Sequence, residues 1–129
     1  ICSLDESEKT KIANCWIAEI SSEECSEGGS RYDKKLSWCI RDPDIGWEII
    51  LRVLSSTESK SCLLRLATWH LEDWLAIHGE AVIGRVETKA SENLIFSRML
   101  SCVYQNSMPL PVYKRVQAAA IYDDYFDNA

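Results

Sequence analysis

The spacing of apolar residues along the chain predicts helices almost from end to end. Ile12, Trp16 and Ile20 recur at every fourth position, with Cys15 and Glu19 at the i+3 steps, so a first helix is expected over about Glu6 to Ile20. The stretch from 21 to 30 breaks the pattern with Glu23, Glu24, Glu27 and Gly28-Gly29, and reads as a mobile acidic loop. Leu36, Cys39 and Ile40 mark a second helix over roughly Tyr32 to Ile40. Asp42-Pro43 is a helix start: the Asp side chain accepts from orphan N–H groups, and Pro at the first helical position gives up no needed donor. Trp47, Ile50, Leu51 and Leu54 then share one face of a third helix. Ser55-Ser56-Thr57-Glu58 ends it and caps the next, which carries Cys62, Leu63, Leu66 and Ala67.

Around Thr68 the pattern allows either a kink or continuation into the segment that starts at His70. Leu71, Trp74, Leu75 and His78 share a face, and Gly79 suits a helix end because it can take a left-handed conformation. Val82, Ile83, Val86 and Ala90 form the next stripe, and Ser91 opens a helix expected to run through Leu94, Met99, Leu100, Val103 and Tyr104. A proline-containing turn over 106–111 precedes a last helix that buries Val112 and Val116 and ends in the aromatic, acidic stretch 122–129. No segment alternates with period two, and no internal repeat is visible. The expected fold is one all-α domain over residues 1–129, of six to eight short antiparallel helices in an orthogonal bundle or short solenoid. Its expected core includes Trp16, Trp47, Leu51, Leu66, Leu75, Val86 and Leu100.

Composition agrees and narrows the function. Three Pro and five Gly among 129 residues are too few for a turn-rich β fold. Twenty acidic residues against 14 basic give a net charge of −6, which argues against nucleic acid, whose proteins bind by neutralising phosphates. The same charge favours a basic protein partner. No run approaches the roughly 18 apolar residues of a membrane span. The polar opening Ile-Cys-Ser-Leu-Asp-Glu lacks a signal-peptide layout, so a cytoplasmic location without a membrane role is expected. The six cysteines, at 2, 15, 25, 39, 62 and 102, show no Cys-x-x-Cys spacing, and no metal site or cofactor is expected. Cys15, Cys39, Cys62 and Cys102 fall among apolar helix residues and are expected to be reduced and shielded; export would permit one or two bridges.

Catalytic patterns are sparse. No Gly-x-Ser-x-Gly or phosphate-binding glycine loop occurs, and the two histidines, His70 and His78, lie within one short segment. A hydrolase or transferase would have to use His70 with Asp73, or a reactive Cys. His78 reads as a structural side chain at a helix end. Glu72 and Asp73 are adjacent, so on a helix they point about 100° apart and do not converge on one substrate atom. Counting outward from Gly79 puts Glu72 and Arg85 at similar heights on antiparallel helices, which predicts an ion pair between them.

Trp16-Ile17-Ala18, Trp47-Glu48-Ile49-Ile50, Leu71-Glu72-Asp73-x-Leu75, His78-Gly79, Arg85-Val86-Glu87 and Val112-x-x-Arg115-Val116 together resemble a bacterial, all-helical domain family of unknown function over roughly residues 10 to 117. The chain departs from it at Thr68-Trp69-His70, where that family has Gly-Pro. The resemblance implies a helical fold and transfers no activity. A non-enzymatic acidic binding protein is therefore expected, in its first form an immunity-type inhibitor that occludes a basic toxin and in its second an adaptor or regulatory scaffold. The expected contact residues are Glu23, Glu24, Glu27, Tyr122, Asp123, Asp124, Tyr125, Phe126 and Asp127: aromatics carry interface energy and carboxylates steer a cationic partner. Glu72, Arg85, His78 and Gly79 are expected to be structural.

Overall fold

A computed structural model describes residues 4–22 and 31–129. The expected acidic loop with Glu23, Glu24 and Glu27, and also Cys2 and Cys25, lies outside them. The described chain is all-α, with no strand. Its helices are α1 (Glu6–Ser21), α2 (Arg31–Cys39), α3 (Pro43–Ser56), α4 (Lys60–Leu66), α5 (Glu72–His78), α6 (Ile83–Glu92), α7 (Leu94–Leu100) and α8 (Leu110–Ala119). Four starts are capped by side chains: Asp5 on α1, Asp42 on α3, Ser59 on α4 and Asn93 on α7. The cap before α7 is Asn93, two residues beyond the expected Ser91.

Between α4 and α5 the chain neither stops nor kinks into a loop. It passes through a π turn, Ala67–Leu71, so helix continues from Lys60 to His78. One such turn shifts the register of the faces, and short π insertions of this kind recur at functional sites. Here it puts Ala67, His70 and Leu71 inside and Trp69 outside.

α1 packs on α2 and α3, α6 packs on α7 and α8, α4 meets α1 and α3, and α5 meets α3. Trp16, Leu66, Leu75, Val86 and Leu100 are fully buried, as expected. Trp47 and Leu51 are only half-buried, because they line a groove whose other wall is Gly84 and Thr88 of α6. Trp47 nevertheless stacks on Trp74 at 5.0 Å between ring centroids and meets Phe96 edge-on. Gly46 permits this close packing: a Cβ there would lie 2.9 Å from both the Ile40 Cα and Trp74 Cδ1. Buried Lys9 on α1 reaches Glu48 of α3 at 2.9 Å and Glu6 at 3.3 Å, while Arg52 pairs with Glu6. Cys39 and Cys62 are buried, Cys15 and Cys102 half-buried, and no disulfide joins these four to one another.

Candidate functional site

His70, the expected catalytic alternative, is 1% exposed. Its Nε2 donates to Asp33 Oδ1 at 2.8 Å, and the same oxygen accepts from Trp16 Nε1 at 2.8 Å. The imidazole and the Trp16 ring meet edge-on at 5.7 Å. The hydrogen bond from His70, helped by the one from Trp16 and by the charges of His70 and Arg65, outweighs burial and holds the Asp33 carboxyl at about 2. His70 Nδ1 is buried with no hydrogen-bond partner among the described residues. This centre ties α1, α2 and the π turn together beneath the surface. The expected partnership of His70 with Asp73 is not formed: Asp73 accepts weakly from Asn106 at 3.4 Å, and burial raises its carboxyl above the usual range.

The residues that carry the sequence resemblance are occupied in holding elements together. His78 Nε2 donates at 2.8 Å to the carbonyl of Ile40, just past the end of α2, so it serves another helix rather than its own. Gly79 has φ +34° and forms the turn after α5. The expected Glu72–Arg85 pair is not made. Glu72 accepts from the backbone N–H of Tyr104 at 2.8 Å and from Asn106 at 3.4 Å, and Arg85 pairs with Asp44 at 2.7 Å. The reason is the turn over 101–106, which follows α7 and brings the Tyr104 backbone N–H and the Asn106 side-chain amide to Glu72 ahead of any side chain of α6. Glu87 pairs with Arg115, linking α6 to α8.

The C-terminal stretch folds back on the body and ends helix at Ala119, short of the aromatics. Ser97 Oγ donates to Ala119 O at 2.6 Å, and Ile121 N–H donates to Ser97 O at 3.0 Å. Arg98 Nε donates to Asp123 at 2.8 Å, and the Tyr125 N–H donates to the same carboxylate. The backbone bond to Tyr125 and then the Arg98 bond lower the Asp123 carboxyl. Phe126 is 9% exposed and joins the core, and the half-buried Tyr125 lies against it and under Lys60 and Arg98. Of the expected contacts, Asp123, Tyr125 and Phe126 are thus committed within the molecule. Tyr122, Asp124 and Asp127 remain exposed.

Tyr122 is 60% exposed and faces a cleft of about 310 Å³ bordered also by Leu64, Thr68, Cys102, Tyr104 and Asp127. Tyr104, at 72%, stands clear of the expected helix because α7 ends at Leu100. Burial raises the Cys102 thiol, and Asp127 adds to that rise, so this sulfur is a poor nucleophile. A wider cleft of about 720 Å³ runs past residues 54–58, Asn93, Ile95 and Tyr125. Three of its polar side chains are engaged locally: Ser55 on Arg52 O, Thr57 on Ser59 N–H and Asn93 on Phe96 N–H. No cluster of three or more His, Cys, Asp or Glu among the described residues could hold a metal, and none of the described helices is long and apolar enough to cross a membrane.

These features define a small all-α domain in which His78, Arg85 and Glu87 tie one element to another and exposed aromatics stand beside carboxylates. The chain belongs to the family of unknown function DUF6869, whose model matches residues 21–123. No curated protein and no solved structure matches it. Tyr104, Asp33 and Arg98 were not among the expected site residues. Asn106 ahead of Pro109 and Pro111 was the available signal that the chain turns near Tyr104.

Proposed function

We propose that this domain is a non-enzymatic binding protein whose partner is a basic protein. In its most specific form the partner is a cationic toxin, which the domain occludes as an immunity-type inhibitor. The observation that carries the reading is the cleft at Tyr104 and Tyr122, where exposed aromatics stand beside carboxylates on a chain of net charge −6. Exposed aromatics supply contact energy, and unpaired acids speed encounter with a cation. The burial of His70 and the engagement of His78 support binding over catalysis.

The test starts from immobilised full-length protein, with captured proteins eluted by a salt gradient and identified by mass spectrometry. The expected partner is basic and binds with a salt-dependent association rate. If that partner is toxic on its own and loses toxicity when bound, the inhibitor form holds; a harmless basic partner makes the domain an adaptor. An acidic partner, or an activity abolished in a folded His70→Gln variant, would overturn the proposal.

A further inference from the structure

The cleft at Tyr104 and Tyr122 has a composition that this protein uses for its own cations, first beside the cleft itself, at Asp123 on its border. Arg98 places its guanidinium carbon 4.7 Å from the Tyr125 ring centroid while bonding the Asp123 carboxylate, so one Tyr and one Asp hold one cation. Lys60 also lies over Tyr125, at 4.2 Å. The exposed Trp38 and Trp69 each carry an arginine of the same chain, Arg41 at 4.6 Å and Arg65 at 5.4 Å. Tyr104 and Tyr122 are more exposed than either Trp and have no cation over their rings among the described residues. They border the cleft together with Asp127, which makes no ion pair among those residues, and no Lys or Arg lines it.

A cation over an aromatic face gains most when water is partly excluded. Leu64 and Phe126 provide an apolar floor on which the methylene stem of a long side chain can lie, with its charged head at the carboxylate. At about 310 Å³ the cleft is at the small end of ligand pockets and suits one side chain.

We propose that this cleft receives a single cationic side chain, Lys or Arg, from the basic protein partner, with Tyr104 and Tyr122 as its walls and Asp127 as counter-charge. The proposal rests on the reading of the domain as a binder of a basic protein. Its test is a titration of isotope-labelled full-length protein, followed by amide chemical shifts. The probes are the N-acetyl, N-methylamide derivatives of lysine and arginine, tetramethylammonium, and the uncharged norleucine derivative. The cationic amino-acid probes should give saturable shifts confined to residues 101–104 and 122–127, with a dissociation constant on the order of millimolar. Tyr104→Ala/Tyr122→Ala should weaken binding about tenfold, whereas Tyr104→Phe/Tyr122→Phe, which keeps both ring faces, should retain it. Asp127→Asn should weaken it several-fold.

Since both tyrosines are exposed, the variants should keep their circular dichroism and Tm. Equal binding of norleucine, shifts scattered over all acidic surfaces, or unchanged affinity in the double-Ala variant would overturn the proposal. Tetramethylammonium binding while both amino-acid probes are refused would also overturn it, in favour of a small free amine. Failure of the probes with a basic partner still captured would remove the cleft and leave the functional reading. Probe binding at the cleft with no basic partner would do the reverse.

Discussion

At the scale of single residues, His70, Asp33 and Trp16 show how a polar group survives in a helical core. Asp33 accepts from both rings, and those bonds hold its carboxyl at about 2, below its ordinary 3.8. A carboxylate lowered on folding stabilises the native state above its unfolded pKa, and that contribution disappears as pH falls through the folded value. The loss should fall between about pH 4 and pH 2 and amount to at most about 2 kcal/mol. Urea unfolding of the wild type and Asp33→Asn should show a gap at pH 6 that narrows toward pH 2; a constant gap would assign the effect to packing. A second residue effect is steric. The Cβ of Gly46→Ala would meet the Ile40 backbone at 2.9 Å, which a rotamer change cannot relieve. It should cost about 1–3 kcal/mol, read as a lower urea midpoint at unchanged slope. Neither feature was legible in the chain, because Asp33 lies 37 positions before His70 and Gly46 is crowded by residues from two other segments. Gly79 was legible, since a helix end has local requirements, whereas the bond of His78 to Ile40 O was not, because it crosses to another helix.

At the scale of elements, periodicity found the helices, and local chemistry placed the start of α3 at Asp42. The caps of α4 and α7, however, are Ser59 and Asn93, beyond the expected 55–58 and Ser91. Periodicity failed where the backbone departs from 3.6 residues per turn or where a tertiary donor intervenes. The π turn Ala67–Leu71 keeps the chain helical where a break was in question, and it inserts His70 rather than Trp69 into the core. Tyr104 belonged by spacing to an apolar stripe, yet α7 ends at Leu100, and the Tyr104 N–H goes to Glu72. The ion pair counted from Gly79 failed for that reason. A double-mutant cycle on Glu72→Ala and Arg85→Ala should therefore give no coupling, whereas the cycle on Asp44 and Arg85 should give about 0–1 kcal/mol. Glu72→Ala alone should cost about 1 kcal/mol and speed hydrogen exchange at the Tyr104 amide. Coupling between Glu72 and Arg85 above about 1 kcal/mol would contradict the contacts described.

At the scale of the whole molecule, the question is which of its acids are available to a partner. Asp123 is compensated by Arg98, Glu87 by Arg115 and Asp44 by Arg85, so the net charge of −6 is expressed by the carboxylates left over. Asp124 and Asp127 are two of them, on the same segment as exposed Tyr122. An acidic aromatic terminus was readable in the sequence; which of its members turn inward was not, because that depends on Ser97 and Arg98 of α7 gripping it. The two groups should separate in kinetics. Unpaired surface charges act over roughly 8–10 Å at physiological salt and mainly set association rate, so Asp124→Asn/Asp127→Asn should slow association with the basic partner several-fold. The slowing should shrink as salt rises. Phe126→Ala removes a core side chain and should lower Tm, by about 3–5 kcal/mol of stability if the segment does not re-pack. Dissociation measured on the fraction still folded should change only through the apolar floor that Phe126 shares with Leu64 in the cleft. Stopped-flow association across a salt series, with a thermal melt of each variant, separates these outcomes. Salt-independent slowing in the double Asn variant would show that Asp124 and Asp127 act by contact, and an unchanged rate would remove them from the encounter altogether.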